Sequence, residues 1–190
     1  MKKVEIIRKT RVLDLFLKVD QYLLRHEKKD GSMSETLDRL TVERGDSCTA
    51  LIYHTEKQAY LMTKQFRHAT YEKGPGWLLE LVAGSIPEGE DPEHIMRMEI
   101  EEEAGFEITE MEKLYTFYGS PGGLSERMHL YYVEVSEAHK VSDGGGKIEE
   151  GEDIEVLYYT LEELKNMLKN GEIEDAKTII GIQHALLSCS

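Results

Sequence analysis

The alternation of apolar and polar positions along this chain predicts a mixture of strands and helices. Alternating or continuously apolar segments predict nine strands, at Val4–Thr10, Leu13–Leu24, Thr36–Arg44, Ser47–His54, Gln58–Phe66, Leu78–Val82, Met111–Tyr118, Met128–Val135 and Ile154–Tyr159. Apolar residues at helical spacing predict three helices, Pro92–Ala104, Leu161–Lys169 and Ala176–Leu187. Because strands and helices do not strictly alternate, the pattern favours an α+β fold, or an α/β sandwich in which helices cover a mixed sheet.

Turn and capping residues mark the ends of several of these elements. Asp30-Gly31, between the second and third strands, is typical of a hairpin. Asp91, which precedes a proline, predicts the start of the first helix, and Gly105 predicts its end. Thr160 and Glu163 have the spacing of a capping box, which predicts the start of the second helix.

The helix predicted over Pro92–Ala104 carries three carboxylates on one face. Glu99, Glu102 and Glu103 are three and four residues apart, so at about 100° per residue they project from one arc. A carboxylate pair at four-residue spacing weakens an isolated helix by about 0.2–0.5 kcal/mol, and a hard divalent cation would offset that repulsion. A solvated acidic face is the alternative, but no basic residue occurs from Glu99 to Glu107.

The segment around these carboxylates resembles the signature of the Nudix hydrolases, Gly-x5-Glu-x7-Arg-Glu-U-x-Glu-Glu-x-Gly-U, in which U is a bulky apolar residue. The matching positions are Gly84, Glu90, Glu99, Ile100, Glu102, Glu103, Gly105 and Phe106. Met98 stands where the signature has arginine, and Arg97 comes one residue earlier. A shift of one residue rotates a side chain by about 100° around a helix. We therefore expect that Arg97 does not orient the glutamates as the signature arginine does.

Further segments resemble the Nudix branch that acts on ADP-ribose and nucleotide sugars. They are residues 119–126 with the sequence Ser-Pro-Gly-Gly, the glycine-rich acidic loop 144–156, the strand segments 64–67 and 78–84, and residues 171–178. A Ser-Pro-Gly-Gly sequence alone is turn chemistry, and a glycine loop is usually a flexible connection. The shared order and spacing of the segments carry the resemblance, which extends from about Thr36 to the last helix.

The resemblance implies a metal-dependent site and a role for each matching residue. The metal is Mg²⁺, with Mn²⁺ as an alternative, and its implied ligands are the Ala83 carbonyl, Glu99, Glu102, Glu103 and Glu152. The implied base is Glu150, with Glu152 as the competing choice, on a loop for which Gly144–Gly146 acts as a hinge. The implied substrate-binding residues are Arg67 for the diphosphate, Glu80 and Glu126 for sugar hydroxyls, and Gly122 and Gly123 for close backbone approach.

The implied reaction is Mg²⁺-dependent hydrolysis of the diphosphate linkage of a nucleoside diphosphate sugar. GDP-mannose is the first choice, giving GMP and mannose 1-phosphate, and ADP-ribose is the alternative, giving AMP and ribose 5-phosphate. A non-catalytic sensor of nucleotide sugars is a hypothesis of a different class, motivated by Met98 and opposed by the complete set of glutamates. An enzyme that removes oxidised nucleoside triphosphates is a further alternative, which the Ser-Pro-Gly-Gly element disfavours.

Composition limits the partners of the protein. A net charge of −14 over 190 residues disfavours nucleic acid, because binding that polyanion depends on Lys and Arg. Apolar runs are too short to span a bilayer, and charge interrupts the apolar N-terminus, so we expect a cytoplasmic protein without a membrane partner. Cys48 and Cys189 lack metal-ligand spacing, and Cys48 is predicted to lie in the core.

Two domains are predicted. Residues 1–35 would form a small N-terminal β subdomain, and residues 36–190 the Nudix domain, an α/β/α sandwich with a mixed sheet. An isolated hairpin is marginally stable in water unless it packs on something. In this branch of the family such a segment packs across a dimer, so the resemblance implies a homodimer, with a monomer carrying an extra hairpin as the alternative.

Overall fold

The chain folds into two compact units, and the computed structural model describes residues 2–147, 149 and 151–188. The first unit consists of Met1–Asp46 and Tyr118–Arg127, and the second of Ser47–Phe117 and Met128–Ser190. The predicted subdomain, residues 1–35, lies within the first unit, which extends further along the chain and includes the Ser-Pro-Gly-Gly turn.

The first unit contains an antiparallel sheet of three strands in the order β1-β2-β3. These strands are β1 (Val4–Asp14), β2 (Lys18–His26) and β3 (Leu37–Glu43). The turn predicted at Asp30-Gly31 is confirmed, and Gly31 has the left-handed φ of +83° that such a turn requires. The single strand predicted over Leu13–Leu24 is wrong, because the chain reverses between β1 and β2 and pairs Asp14 with Lys18.

The second unit is built on a mixed sheet of seven strands. These strands are β4 (Asp46–His54), β5 (Ala59–Phe66), β6 (Trp77–Glu80), β7 (Val82–Ile86), β8 (Glu112–Tyr118), β9 (Arg127–Val135) and β10 (Glu155–Tyr159). Their order is β10-β5-β4-β9-β8, with β6 paired to β5 and β7 paired to β4. Strand β4 is parallel to β9, whereas β5 is antiparallel to β4, β6 and β10.

Helices cover both faces of this sheet. The helical segments are α1 (His68–Tyr71), α2 (Pro92–Glu99), a π-helical turn (Ile100–Ala104), a 3-10 turn (Glu137–His139), α3 (Leu161–Asn170) and α4 (Ala176–Ser188). Side chains alternate along β4, so Ala50 lies in the core with Ile100 after α2, and Leu51 lies in the core with Ile182 of α4. The second unit is therefore the α/β/α sandwich that was predicted. None of the described helices is long and apolar enough to cross a lipid bilayer.

The segment predicted as one strand over Leu78–Val82 forms parts of two strands instead. Strand β6 pairs with β5 and β7 pairs with β4, so the chain changes partner at Leu81. The backbone N–H of Leu81 donates to the Thr178 hydroxyl of α4 at 2.9 Å, and the Thr49 hydroxyl donates to the Val82 carbonyl at 2.9 Å. Side chains thus satisfy backbone groups where the strand is interrupted.

Candidate active site

The segment Pro92–Ala104, called the signature helix below, begins and ends where the sequence predicts. Asp91 caps its start, since Oδ2 accepts a hydrogen bond from the backbone N–H of His94 at 3.1 Å. Gly105 ends it in the left-handed region, with φ of +80°. The last turn, Ile100–Ala104, is π-helical, so the predicted helix reaches Ala104 but changes from α-helical to π-helical geometry after Glu99. A π-helical turn often occurs at a functional site.

Glu99 lies directly against the backbone of Gly84. A methyl group added at Gly84 would overlap the Glu99 carboxylate. The Gly84 carbonyl accepts a hydrogen bond from the Cys48 thiol, with an S···O distance of 3.7 Å. Cys48 is buried as predicted, and burial together with the nearby charge of Glu99 raises the pKa of its thiol to about 12. The signature glycine thus leaves room for the first carboxylate of the signature helix.

Glu103 is the buried carboxylate of the signature helix, with 4% of its surface exposed. Its Oε2 accepts a hydrogen bond from the backbone N–H of Ala83 at 3.4 Å. Burial is the main cause that raises its pKa to about 8, and the charges of Glu99 and Glu152 add to the effect. Glu99 and Glu152 therefore each lie close enough to repel the Glu103 carboxylate.

This group of carboxylates fits a hard divalent cation. Carboxylate and carbonyl oxygens are the ligands that Mg²⁺ prefers, and a cation would relieve the repulsion that adds to the effect of burial on the pKa of Glu103. Among the described residues, no three His, Cys, Asp or Glu side chains converge into a complete metal site. Mg²⁺ usually keeps several waters and takes oxygens from substrate phosphates, so two or three protein ligands suffice.

Glu102 differs from its two neighbours in the signature because it pairs with a lysine. The Lys147 Nζ lies 2.8 Å from Glu102 Oε2, and both side chains are partly exposed. Arg97 is directed elsewhere, as expected: its guanidinium lies 3.6 Å from Glu93 and donates to the Thr109 carbonyl at 3.3 Å.

Three consecutive left-handed glycines, Gly144–Gly146, bond to the end of the signature helix and lead into the acidic loop, residues 147–153. Their φ angles are +70°, +107° and +78°. The backbone N–H of Gly145 donates to the Glu103 carbonyl at 2.9 Å, and that of Gly146 to the Glu102 carbonyl at 3.1 Å. These carbonyls have no partner within the last turn of a helix, so the glycines cap it. The glycines therefore fix the base of the loop, and the hinge role stays a prediction.

The acidic loop places Glu152 close to Glu103. Its Oε2 accepts a hydrogen bond from the backbone N–H of Lys147 at 2.8 Å, and its charge contributes to the raised pKa of Glu103. Glu150, predicted as the base, lies outside the described residues. The order of the two candidate bases therefore stays a prediction.

Arg67 and Glu80 contact each other at the end of β5 and β6. The Arg67 Nε lies 2.7 Å from Glu80 Oε1, and its terminal nitrogen lies 3.1 Å from Oε2. Lys177 of α4 also pairs with Glu80 Oε2 and lies 3.1 Å from Asp175. Burial opposes ionisation of Glu80, but the two cations outweigh it and hold its pKa below the usual value. Both oxygens of Glu80 are thus engaged within the protein.

Lys177 is a charged residue that sequence analysis missed at this site. It is 7% exposed, and a buried lysine is rare unless it is paired. Its signal in the sequence is its place two residues after Asp175, which caps α4 by accepting from the Thr178 backbone N–H at 2.9 Å. The segment was recognised by resemblance, but no role was given to the lysine.

In the first unit, the Ser-Pro-Gly-Gly turn lies beside β3. The Gly123 carbonyl accepts from the Val42 backbone N–H at 2.7 Å, and a side chain at Gly122 or Gly123 would meet open space. Glu126 is 4% exposed, and within the described residues its Oε1 has no hydrogen-bond partner. The Arg44 guanidinium lies 3.6 Å from that oxygen. A buried carboxylate oxygen without a hydrogen bond has spare capacity for a ligand.

Comparisons with known proteins give matches over most of the chain. The model of the NUDIX domain matches residues 43–180. The chain is 37% identical to a GDP-mannose pyrophosphatase of Pectobacterium atrosepticum, over 97% of this chain and 94% of the relative. It is 36% identical to a GDP-mannose pyrophosphatase of Enterobacter sp. strain 638, over 98% and 96% of the two chains.

A solved structure shares the fold. The crystal structure of an ADP compounds hydrolase superposes with a TM-score of 0.69 and 16% identity, covering 95% of this chain and 90% of the other. The family match and the two relatives extend over the signature helix, the glycines that follow it and Arg67. This chain therefore belongs to the Nudix family of hydrolases.

Proposed function

We propose that this protein hydrolyses the diphosphate linkage of GDP-mannose to GMP and mannose 1-phosphate. The observation that carries the proposal is the close approach of Glu99 and Glu152 to the buried Glu103, whose pKa is raised to about 8 by burial first and by these two charges second. A cation would relieve the repulsion within this group, and a diphosphate is a substrate that brings one with it. The choice of GDP-mannose rests on the names of the relatives at 36–37% identity.

Negative charge builds on the phosphoryl oxygens as water attacks phosphorus, and the site must neutralise that charge. Mg²⁺, or Mn²⁺, held by Glu99, Glu103 and the Ala83 carbonyl, would supply most of that neutralisation when bound. Arg67 would donate to the diphosphate, since a guanidinium forms paired, charge-assisted hydrogen bonds with phosphate oxygens. Glu150 would take the proton of the attacking water, with Glu152 as the competing base.

The contacts of Glu80 support a different role from the sugar-binding role that the resemblance implies. Because Arg67 and Lys177 occupy both of its oxygens, we propose that Glu80 positions the Arg67 guanidinium for the diphosphate. Glu126 has an oxygen available for a ligand, so it remains our candidate for a sugar hydroxyl. Gly122 and Gly123 stay candidates for backbone contact with the substrate.

We also propose that the protein is a cytoplasmic homodimer in which the first unit supplies the interface. Every residue of β1 is exposed, including the large apolar residues Val4, Ile6, Ile7, Val12 and Leu13. Apolar surface concentrated on one strand favours association, and a second copy of the chain is the occupant that we expect. Sedimentation equilibrium should give twice the chain mass of 21.8 kDa, and a single chain mass at micromolar concentration would contradict the dimer.

The proposal is tested by incubating the purified protein with Mg²⁺ and either GDP-mannose or ADP-ribose in ¹⁸O-labelled water. Chromatography identifies the products, and mass spectrometry shows which of them carries the label and hence which phosphorus was attacked. Glu103→Gln serves as the inactive control, because it keeps the shape of the side chain and removes its charge. We expect GMP and mannose 1-phosphate as the dominant products.

The other outcomes separate the alternatives. Dominant release of AMP and ribose 5-phosphate would identify ADP-ribose as the substrate and leave the assignment of the site residues unchanged. Tight binding of nucleotide sugars in calorimetry without turnover would favour the sensor. Release of pyrophosphate from an oxidised nucleoside triphosphate, at a higher kcat/KM than for GDP-mannose, would favour the triphosphate-cleansing enzyme.

A further inference from the structure

Position 98 of the signature helix lacks the positive charge that the family signature places there. Met98 is 41% exposed, and the preceding Arg97 is directed toward Glu93 and the Thr109 carbonyl. A cation at position 98 would lie four residues before Glu102, within reach of its carboxylate on a helix surface. The signature helix of this chain therefore does not supply that cation itself.

A lysine from another part of the chain contacts Glu102 instead. Lys147 Nζ lies 2.8 Å from Glu102 Oε2. The same lysine donates its backbone N–H to Glu152 Oε2 at 2.8 Å, and its carbonyl accepts from the Glu152 N–H at 3.2 Å. Lys147 thus joins the signature helix to the acidic loop, by its side chain on one side and its backbone on the other.

The three glycines that precede Lys147 in the chain fix the position of its backbone. Gly145 and Gly146 donate to the carbonyls of Glu103 and Glu102. A side chain at Gly144 would overlap the Glu103 carbonyl oxygen, and one at Gly146 would contact the Glu152 side chain. The backbone therefore enters the loop along one path, which places the Lys147 side chain beside Glu102.

We propose that Lys147 is a positioning residue that replaces the missing cation of the signature by pairing with Glu102, and that it holds the acidic loop against the signature helix. This inference deepens the proposed function and rests on it for its kinetic part. Lys147 acts through Glu102 and Glu152, and it does not take part in bond making. Its side chain orients one carboxylate, and its backbone orients the other.

The first measurement is hydrogen–deuterium exchange of metal-free protein over residues 145–152, which needs no substrate. Lys147→Met should exchange about three- to fivefold faster there, the effect expected when a partly exposed ion pair is lost. Lys147→Arg should exchange as the wild type does. Lys140→Met is the matched control, because Lys140 is a partly exposed lysine that pairs with Asp143 at 2.9 Å on the same stretch of chain.

The second measurement is steady-state hydrolysis of GDP-mannose at saturating Mg²⁺. Lys147→Met should lower kcat about tenfold with little change in KM, because misplacing a group of the reaction centre costs rate more than binding. Lys147→Arg and Lys140→Met should keep the wild-type kcat. Adding Met98→Arg to Lys147→Met should restore most of the lost kcat, since it returns a cation to Glu102 from the signature position.

Three results would overturn the inference. They are unchanged exchange in Lys147→Met, unchanged kcat in that variant, or failure of Met98→Arg to restore kcat in the double variant although Met98→Arg alone is active. Failure of the proposed function would look different. Wild-type protein would then leave GDP-mannose intact, while the exchange measurement would still decide whether Lys147 anchors the loop.

Discussion

Arg67 and Glu80 form a two-point ion pair in which the guanidinium Nε lies 2.7 Å from Oε1 and a terminal nitrogen 3.1 Å from Oε2. Glu80 is 3% exposed, and Lys177 pairs with it from α4. Two cations therefore share one buried carboxylate. Through Lys177, Glu80 links the end of β6 to α4.

Glu80→Gln should destabilise the protein by about 2–4 kcal/mol, because it leaves two cations without the buried carboxylate that compensates them. Urea denaturation measures the free energy of unfolding. Glu162→Gln is the control, since Glu162 pairs with Lys165 on the exposed face of α3 at 2.8 Å, and loss of an exposed ion pair should destabilise the protein far less than loss of the Glu80 carboxylate. Equal losses in the two variants would contradict the structural role of Glu80.

Gly84→Ala should lower kcat about a hundredfold while the protein stays folded. The added methyl group would displace the Glu99 carboxylate, and an error of about 1 Å in a reacting group can cost that much. Gly74→Ala is the control, because its methyl group would make ordinary contacts at 3.5 and 3.6 Å. Circular dichroism and kcat are measured on both variants, and an active Gly84→Ala would rule out the tight packing of Glu99.

Glu103→Gln should abolish turnover and stabilise the metal-free protein at alkaline pH. The pKa of Glu103 is raised from 4.5 to about 8 in the folded protein, so between these values the folded form holds a proton that the unfolded chain has released. Its contribution to stability is present below pH 4.5 and is lost as the pH rises through about 8. The variant should lose this dependence and melt about 5 °C higher than wild type at pH 8.5.

The check is calorimetry in a chelating buffer at pH 4.5 and pH 8.5. Glu101→Gln, on the exposed side of the signature helix, should melt as the wild type does at both values. Adding Mg²⁺ at pH 8.5 should stabilise wild type more than Glu103→Gln, because the cation needs the carboxylate. Equal melting of wild type and Glu103→Gln at pH 8.5 would show that Glu103 is not desolvated.

Glu150→Gln and Glu152→Gln should separate the two candidate bases. Loss of a general base lowers kcat by about 10²–10⁴ and removes the ascending limb of its pH profile. We expect that result for Glu150→Gln, and for Glu152→Gln a smaller loss with the limb retained. Glu149→Gln, an exposed neighbour on the same loop, is the control. The reverse order would assign the base to Glu152.

Capping and turn residues predicted most of the boundaries of the helices and strands. Asp91, Gly105 and the capping box of Thr160 with Glu163 act as expected, because each depends on residues within one turn of chain. The reversal between β1 and β2 was missed because its turn contains Leu15, Phe16 and Leu17, which are apolar residues in an otherwise apolar run. Their exposure is visible only in the structure.

The sequence identified residues of the site better than it identified the contacts between them. Glu99 and Glu103 lie together because the signature sets their spacing. The pairing of Arg67 with Glu80 depends on the register between β5 and β6, and the contact of Lys177 with Glu80 spans 97 residues. The Lys147–Glu102 pair was not foreseen, since it depends on a backbone path through three left-handed glycines.

Those glycines also set where the chain tolerates a change of length. The N–H groups of Ser142, Gly145 and Gly146 each bond at a fixed place at the end of the signature helix, so a residue inserted between Ser142 and Gly146 would break the match. The chain returns to the same glycines after the acidic loop, where the Ile154 N–H donates to the Gly145 carbonyl at 3.2 Å. Evolution or protein engineering that varies this loop must therefore keep the spacing from Ser142 to Gly146, because a change there would shift Lys147 and Glu152 away from the carboxylates of the signature helix.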